Sequence, residues 1–127
     1  MRALADTSVF IAREAGRPML EDRFPDQAGV SVVTLGELRA GVLVAADVPT
    51  RDRRLATLAL AFEFEPIPID TDVADAWARL RVMLREVGQR MPGNDSWIAA
   101  TAISLGVPVV TQDDDYADVP ELEVIRV

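Results

Sequence analysis

The chain contains no cysteine, no histidine and no lysine; all 13 of its basic residues are arginine. Each absence removes a chemistry. Without histidine there is no Ser-His-Asp triad, and without cysteine no thiol nucleophile, no disulfide framework and no zinc-finger cage. Without lysine there is no Schiff base and no phosphate-loop lysine of the G-x-x-x-x-G-K-S/T kind. Long apolar runs are missing too. The longest, Ala40–Ala46, falls far short of the ~20 residues that cross a bilayer, so no membrane association is expected. The opening Arg2-Ala3-Leu4-Ala5-Asp6 meets a carboxylate too early for the apolar stretch of a signal peptide, and a cytoplasmic location is expected. Carboxylate, hydroxyl, arginine and bound metal remain as catalytic means.

The 127 residues are half apolar, which suits one domain over residues 1–127 with a core of its own. Carboxylates number 21, giving a net charge of −8. A pI near 4.4 argues against the broad basic footprint of most nucleic-acid binders, an objection any nucleic-acid reading must answer.

Strands and helices alternate in the pattern. Residues 3–5 predict a short buried strand ending at Asp6, followed by a helix over Ser8–Ala15. Arg17-Pro18 and Phe24-Pro25-Asp26 mark a loop with room for one helical turn between them. Gly29–Val33 predicts a second strand, with Thr34 capping a helix to about Ala46 and Thr50 starting another to about Phe62. Pro66–Ile69 reads as a strand whose two prolines suit a sheet edge. Thr71 caps a long amphipathic helix with Val73, Trp77, Leu80 and Leu84 on one face, and Gly88 suits its C-terminal cap. Asn94 caps a helix that Gly106 ends; Val107–Thr111 and Glu123–Val127 predict the last two strands. This order implies an α/β fold with a mostly parallel sheet covered on both faces, where ligands sit at the carboxyl ends of the strands.

Four carboxylates fall at that edge: Asp6 directly after the first strand, Glu37 in the first turn of the helix after the second, Asp113 two residues beyond Thr111, and Asp95 at the start of the helix leading to the fourth strand. Each has an ordinary explanation. Thr34-Leu35-Gly36-Glu37 matches a capping box, Asp95 favours its helix dipole, and Asp113-Asp114-Asp115 suits a solvated acidic turn. Asp6 resists such dismissal, since a carboxylate ending a buried apolar strand needs a positive partner or donors. Four carboxylates together repel one another unless a cation compensates them, and oxygen ligands suit Mg²⁺ or Mn²⁺. A metal-loaded site is locally cationic, which answers the objection raised by the net charge.

In order, the segments are Leu4-Ala5-Asp6-Thr7-Ser8, Val33-Thr34-Leu35-Gly36-Glu37-Leu38-Arg39-Ala40-Gly41, Asn94-Asp95-Ser96-Trp97-Ile98-Ala99-Ala100-Thr101-Ala102 and Val110-Thr111-Gln112-Asp113-Asp114-Asp115-Tyr116. At these separations the chain resembles the VapC family, the PIN-domain ribonuclease toxins of bacterial type II toxin–antitoxin pairs. The resemblance spans essentially the whole chain. It implies a three-layer PIN-like fold with a sheet of four to five strands, and a metal-dependent endoribonuclease whose acidic site is Asp6, Glu37, Asp95 and Asp113. Asp115 stands second to Asp113 as the fourth acid, because three aspartates are consecutive and the family's Asp-Phe is replaced by Asp115-Tyr116. Thr7, Ser8 and Thr111 are implied as hydroxyls that orient carboxylates or a phosphate. The implied partners are an antitoxin protein, a second copy of the chain in a homodimer, and an RNA such as tRNA. With no imidazole for 2′-hydroxyl chemistry, hydrolysis by metal-activated water is expected, leaving a 5′-phosphate and a 3′-hydroxyl.

The remaining features are read as ordinary first. Arg51, Arg53 and Arg54, and Arg79, Arg81, Arg85 and Arg90, read as solvated faces, although arginines at the rim of an acidic site can hold flanking phosphates. Arg39 is given no catalytic role. Trp77 and Trp97 read as core, and Phe62 and Phe64 with the early helices as an antitoxin groove, the latter from the resemblance alone. Two alternatives stand beside the ribonuclease. One is a non-catalytic binding module on the same fold. The other is a receiver-type phosphoacceptor, disfavoured by the missing lysine.

Overall fold

A computed structural model describes residues 2–127; Met1 lies outside the described residues. The elements run β1 (Arg2–Ala5), α1 (Thr7–Glu14), a single 3-10 turn (Glu21–Arg23), β2 (Gln27–Ser31), α2 (Val32–Leu43), α3 (Val48–Ala61), β3 (Glu65–Ile67), α4 (Thr71–Glu86), α5 (Gly93–Leu105), β4 (Val109–Thr111) and β5 (Val124–Arg126). All five strands pair in parallel, in the order β3-β2-β1-β4-β5. The chain is a three-layer α/β fold, and Pro66 sits in an edge strand as its missing N–H requires.

The layers follow from alternation along β1. Leu4 points to one face, into a cluster with Leu80 and Leu84 of α4 and Ile98, Ala99 and Ala102 of α5. Ala5 points to the other, with Phe10, Leu38, Val42 and Leu58 from α1, α2 and α3. Helix α5 has buried Ile98, Ala99, Ala100 and Ala102 in succession, so it is apolar around most of its circumference and close to the sheet, its alanines letting it approach.

Several caps differ from the sequence expectation. Ser31, not Thr34, caps α2: its hydroxyl accepts from the Val33 N–H at 3.1 Å, and Thr34 lies inside the first turn. Asp47 caps α3 ahead of Pro49 and Thr50, and Asp70 caps α4 ahead of Thr71. In both cases the aspartate one to three residues upstream accepts the orphan amide better placed for it. Helix α5 starts at Gly93 after Pro92, with no side-chain cap from Asn94. Gly88 follows α4 and Gly106 follows α5 in the left-handed region, at φ 69° and 67°. The predicted strands at Gly29–Val33 and Pro66–Ile69 shift toward the N-terminus, to Gln27–Ser31 and Glu65–Ile67.

From β1 the chain moves outward to β2 and β3, then returns to the opposite side of β1 for β4 and β5. The order therefore reverses between β1 and β4. In sheets of this kind the crevice outside the carboxyl ends of the strands at such a reversal is where ligands bind.

Candidate active site

Asp6 follows β1 at the mouth of this crevice and is 1 % exposed. Its Oδ2 accepts from the Thr111 hydroxyl at 2.9 Å and from the Ser8 N–H at 3.4 Å, so it also serves as the N-cap of α1. Its Oδ1 accepts from the Tyr116 phenol at 2.7 Å. Three donors from three segments thus replace the water that burial removed.

Two hydroxyl relays end on carboxylates, and their direction is fixed because each hydroxyl has one proton. Thr111 spends its proton on Asp6, so the 3.1 Å contact between Ser8 Oγ and Thr111 Oγ1 is donated by Ser8. Ser8 Oγ in turn accepts from the Gln112 N–H at 3.0 Å. On the other side Thr7 donates to Glu37 Oε1 at 2.8 Å, so Thr34 donates to Thr7 across another 2.8 Å contact. Glu37 therefore does not close a capping box. Ser31 caps the helix instead, and one turn later Glu37 is turned toward α1.

Asp95 lies in the first turn of α5, half-buried, and is pushed up to about 7 by burial first, then by the Asp115 carboxylate accepting from its protonated form and by the charges of Asp6, Asp115 and Glu37. Asp113 is raised by burial and by Asp6 and Asp115, against the lowering pull of Arg126 and Arg17. The Tyr116 phenol is held far above its usual range by burial first and then the charges of Asp6 and Asp95, so it remains a donor. The charges acting on Asp95, Asp113 and Tyr116 place Asp6, Glu37, Asp95, Asp113 and Asp115 within one electrostatic neighbourhood. Asp114 points away, paired with Arg126. Asp113 is half-buried and Asp115 exposed, its carboxyl turned toward Asp95. Among the described residues no three acids stand close enough together to enclose an ion in direct contact.

Of the three hydroxyls expected to orient carboxylates or a phosphate, Thr7 meets Glu37 and Thr111 meets Asp6, whereas the Ser8 hydroxyl reaches Asp6 only through Thr111. Two contributors were not anticipated. Tyr116 registered only as a departure from a phenylalanine, and Thr34 only as a cap; a polar hydroxyl on an otherwise apolar, buried ring was the available signal for the first. Trp77 and Trp97 are half-buried instead of core, because they stack at the outer edge of the α4–α5 pair. Phe64 is half-buried, edge-on to Phe10 with centroids 5.2 Å apart, and lines an open hollow with Glu63, Glu65 and Ile67; Phe62 is exposed.

Comparison with known proteins shows the family. The PIN domain family matches residues 3–122. The chain is 56 % identical to Ribonuclease VapC4 of Mycobacterium tuberculosis, over 99 % of this chain and 97 % of that one. It is 52 % identical to Ribonuclease VapC5 of the same organism, covering 96 % and 93 %. The crystal structure of VapBC-5 from M. tuberculosis, a member of the VapBC family of toxin–antitoxin systems, contains a chain that superposes with a TM-score of 0.91 at 48 % identity, covering 99 % and 98 %.

Proposed function

The chain belongs to the PIN-domain family as a VapC ribonuclease toxin of a toxin–antitoxin pair, and we propose that it hydrolyses RNA phosphodiester bonds at a metal-dependent site built on Asp6, Glu37, Asp95 and Asp113. The observation that carries this reading is the crowding of carboxylates at the β1/β4 switch point, where Arg126 and Arg17 act on Asp113 only and Asp95 is left raised to about 7. Burying acids together is unfavourable by itself; a divalent cation reverses the sign.

The donors are all oxygen, which suits Mg²⁺ or Mn²⁺. Asp95 and Asp113 would hold the ion directly, Asp6 through Oδ2 or by competing with Tyr116 for Oδ1, and Glu37 through water or directly, with Asp115 as the alternative to Asp113. Since no three acids converge closely as they stand, part of the coordination would be water, as Mg²⁺ usually requires. When bound, such an ion supplies a water of lowered pKa and stabilises charge on the phosphate. The chain's own groups do the positioning. The Ser8–Thr111 relay and Tyr116 fix Asp6, and the Thr34–Thr7 relay aims Glu37 toward the crevice, where its free oxygen can orient or accept a proton from water.

The partner of this toxin is an antitoxin. Leu43 and Val44 at the end of α2, Val48 at the start of α3 and Phe62 after it are all more than half exposed and offer apolar surface to it.

Purified protein is expected to cleave RNA with Mg²⁺ or Mn²⁺, to stop on chelation, and to lose activity on Asp6→Asn or Asp95→Asn. The cleaved ends should be 5′-phosphate and 3′-hydroxyl; a 2′,3′-cyclic phosphate would exclude water as the nucleophile.

A further inference from the structure

Helices α4 and α5 carry a second constructed feature. Trp77 and Trp97 stack with ring centroids 4.2 Å apart and planes 2° from parallel. The Arg81 guanidinium lies 4.7 Å from the Trp77 centroid. Trp77 Nε1 donates to Ser96 Oγ at 3.1 Å, and Ser96 donates to the Gly93 carbonyl at 2.5 Å, so the rings are pinned. Beside them runs a groove of about 520 Å³ with Arg81, Arg85 and Arg90 on its walls and no carboxylate in its lining.

These arginines are exposed, and what sets them apart is that three of them share one groove with no acid in its lining. Arg79, on the same helix, pairs with Asp75 one turn away at 2.9 Å. Arg81, Arg85 and Arg90 form no ion pair among the described residues. Arg81 and Arg85 are themselves four apart, a like-charge spacing that disfavours a helix by ~0.2–0.5 kcal/mol. Unpaired cations gathered along one groove of a chain with net charge −8 call for an external anion. The groove also leads somewhere. Leu84, Gln89, Arg90 and Met91 line both it and a smaller hollow of about 260 Å³ whose far wall is Asp114 and Asp115. Asp115 acts electrostatically on Asp95, and Ser96 in the groove is Asp95's neighbour in sequence.

We propose that this groove holds the single-stranded RNA segment flanking the scissile bond, with Arg81, Arg85 and Arg90 on backbone phosphates and the Trp77–Trp97 pair as the apolar wall for a base. The inference rests on the ribonuclease reading above. Guanidinium forks match phosphate oxygens, and an indole face accepts any base, so this subsite supplies grip and register without specifying sequence.

The two tryptophans are the only ones in the chain, so their fluorescence reports on the groove directly. Titrating a single-stranded RNA oligonucleotide into the chelated, non-cleaving protein should quench it. Replacing Arg81, Arg85 and Arg90 together by alanine should abolish most of the quench and reduce the salt slope of binding by about 0.7 per arginine. In Mn²⁺-supported cleavage the triple variant should raise KM at least about tenfold, with kcat within about twofold. Arg79→Ala should do neither, and lysine at the three positions should recover part of the binding. If the wild type cleaves RNA but the triple variant keeps its KM and quench, the groove is not the RNA subsite and the ribonuclease reading stands. Conversion of a wild-type dimer to monomer by the triple variant would identify the groove as a contact between copies and overturn the proposal. If the wild type cleaves no RNA with either metal, the underlying reading fails and takes the subsite with it.

Discussion

Replacing Tyr116 by phenylalanine tests the centre of the site by removing a single atom. The ring stays in its cluster with Leu4, Leu80 and Ile98, 0 % exposed, so packing is nearly unchanged. The lost hydroxyl is the donor to Asp6 Oδ1 at 2.7 Å, and the other donors to that carboxylate both serve Oδ2. Asp6 is 1 % exposed, so bulk water does not take the vacated position. A hydrogen bond to a charged group contributes ~1.5–3 kcal/mol, and orphaning a buried charged acceptor moves the loss toward the upper end. The expected destabilisation is therefore about 2–3 kcal/mol, a roughly 30- to 150-fold rise in the unfolded fraction. It is measured by urea denaturation followed through circular dichroism, in chelator, with wild type and variant sharing one m-value. Repeating the series in saturating Mn²⁺ should narrow the gap, because a cation facing Oδ1 supplies what the phenol gave. A gap below about 0.5 kcal/mol in chelator would refute the assignment of Tyr116 as the partner of Asp6. An unchanged gap in Mn²⁺ would leave Oδ2 as the Asp6 oxygen that would hold the ion.

Asp95 gives a pH prediction for the metal-free protein. Its folded pKa of about 7 lies above the ordinary aspartate value of 3.8, so its contribution to stability is full below ~4 and lost as pH rises through 7. Relative to Asp95→Asn, the wild type should lose stability between about pH 4 and 7 and level off above, and a wild type that gains on the variant over that range would contradict the crowding. Thr34→Val keeps shape but removes the donor to Thr7. It should destabilise by about 1 kcal/mol and reduce kcat more than it raises KM, since Glu37 loses the relay that aims it. Gly29→Ala on β2 would place its Cβ 3.1 Å from Ile67 Cγ1 and 3.3 Å from the Glu65 carbonyl, so the β2–β3 edge must shift. A loss of ~1–3 kcal/mol in urea melts is expected, and a neutral variant would mean that the edge strand yields freely.

The alternation of strands and helices made the layers legible, because parallel strands buried on both faces leave continuous apolar runs such as Val107–Thr111. The prolines of residues 66–68 announced an edge, and Gly106 a helix end. Caps were less legible for a local reason. Where several acceptors precede a helix, as Ser31 and Thr34 do before α2, pattern alone does not say which one turns back on the amides. That ambiguity masked Glu37: the Thr34–Glu37 spacing is compatible with a cap, and only the position of Ser31 frees the glutamate to meet Thr7, 30 residues away in sequence. The acids at strand ends were readable because β1 and β4 carry them to one edge. Tyr116 and the tryptophan pair were not readable in role, since an aromatic at helical or loop spacing looks the same whether it fills a core, donates to a carboxylate or walls a groove.

The net charge is the remaining point, and it bears less on RNA than it first suggests. At physiological ionic strength a charge is screened beyond about 8 Å, whereas the 16 residues of α4 extend roughly 24 Å at ~1.5 Å per residue. An anionic strand approaching Arg85 therefore senses the arginines of that groove, not the acids at the far end of the sheet. The acids it does meet, Asp95, Asp113 and Asp115, are those that a divalent cation would neutralise. A chain that is acidic in total can thus present a cationic path of two unlike parts, one built from guanidinium groups and one that exists only when metal is bound. The two parts separate experimentally. Salt should weaken binding through the arginines, while chelation should abolish cleavage and leave the groove's quench in place.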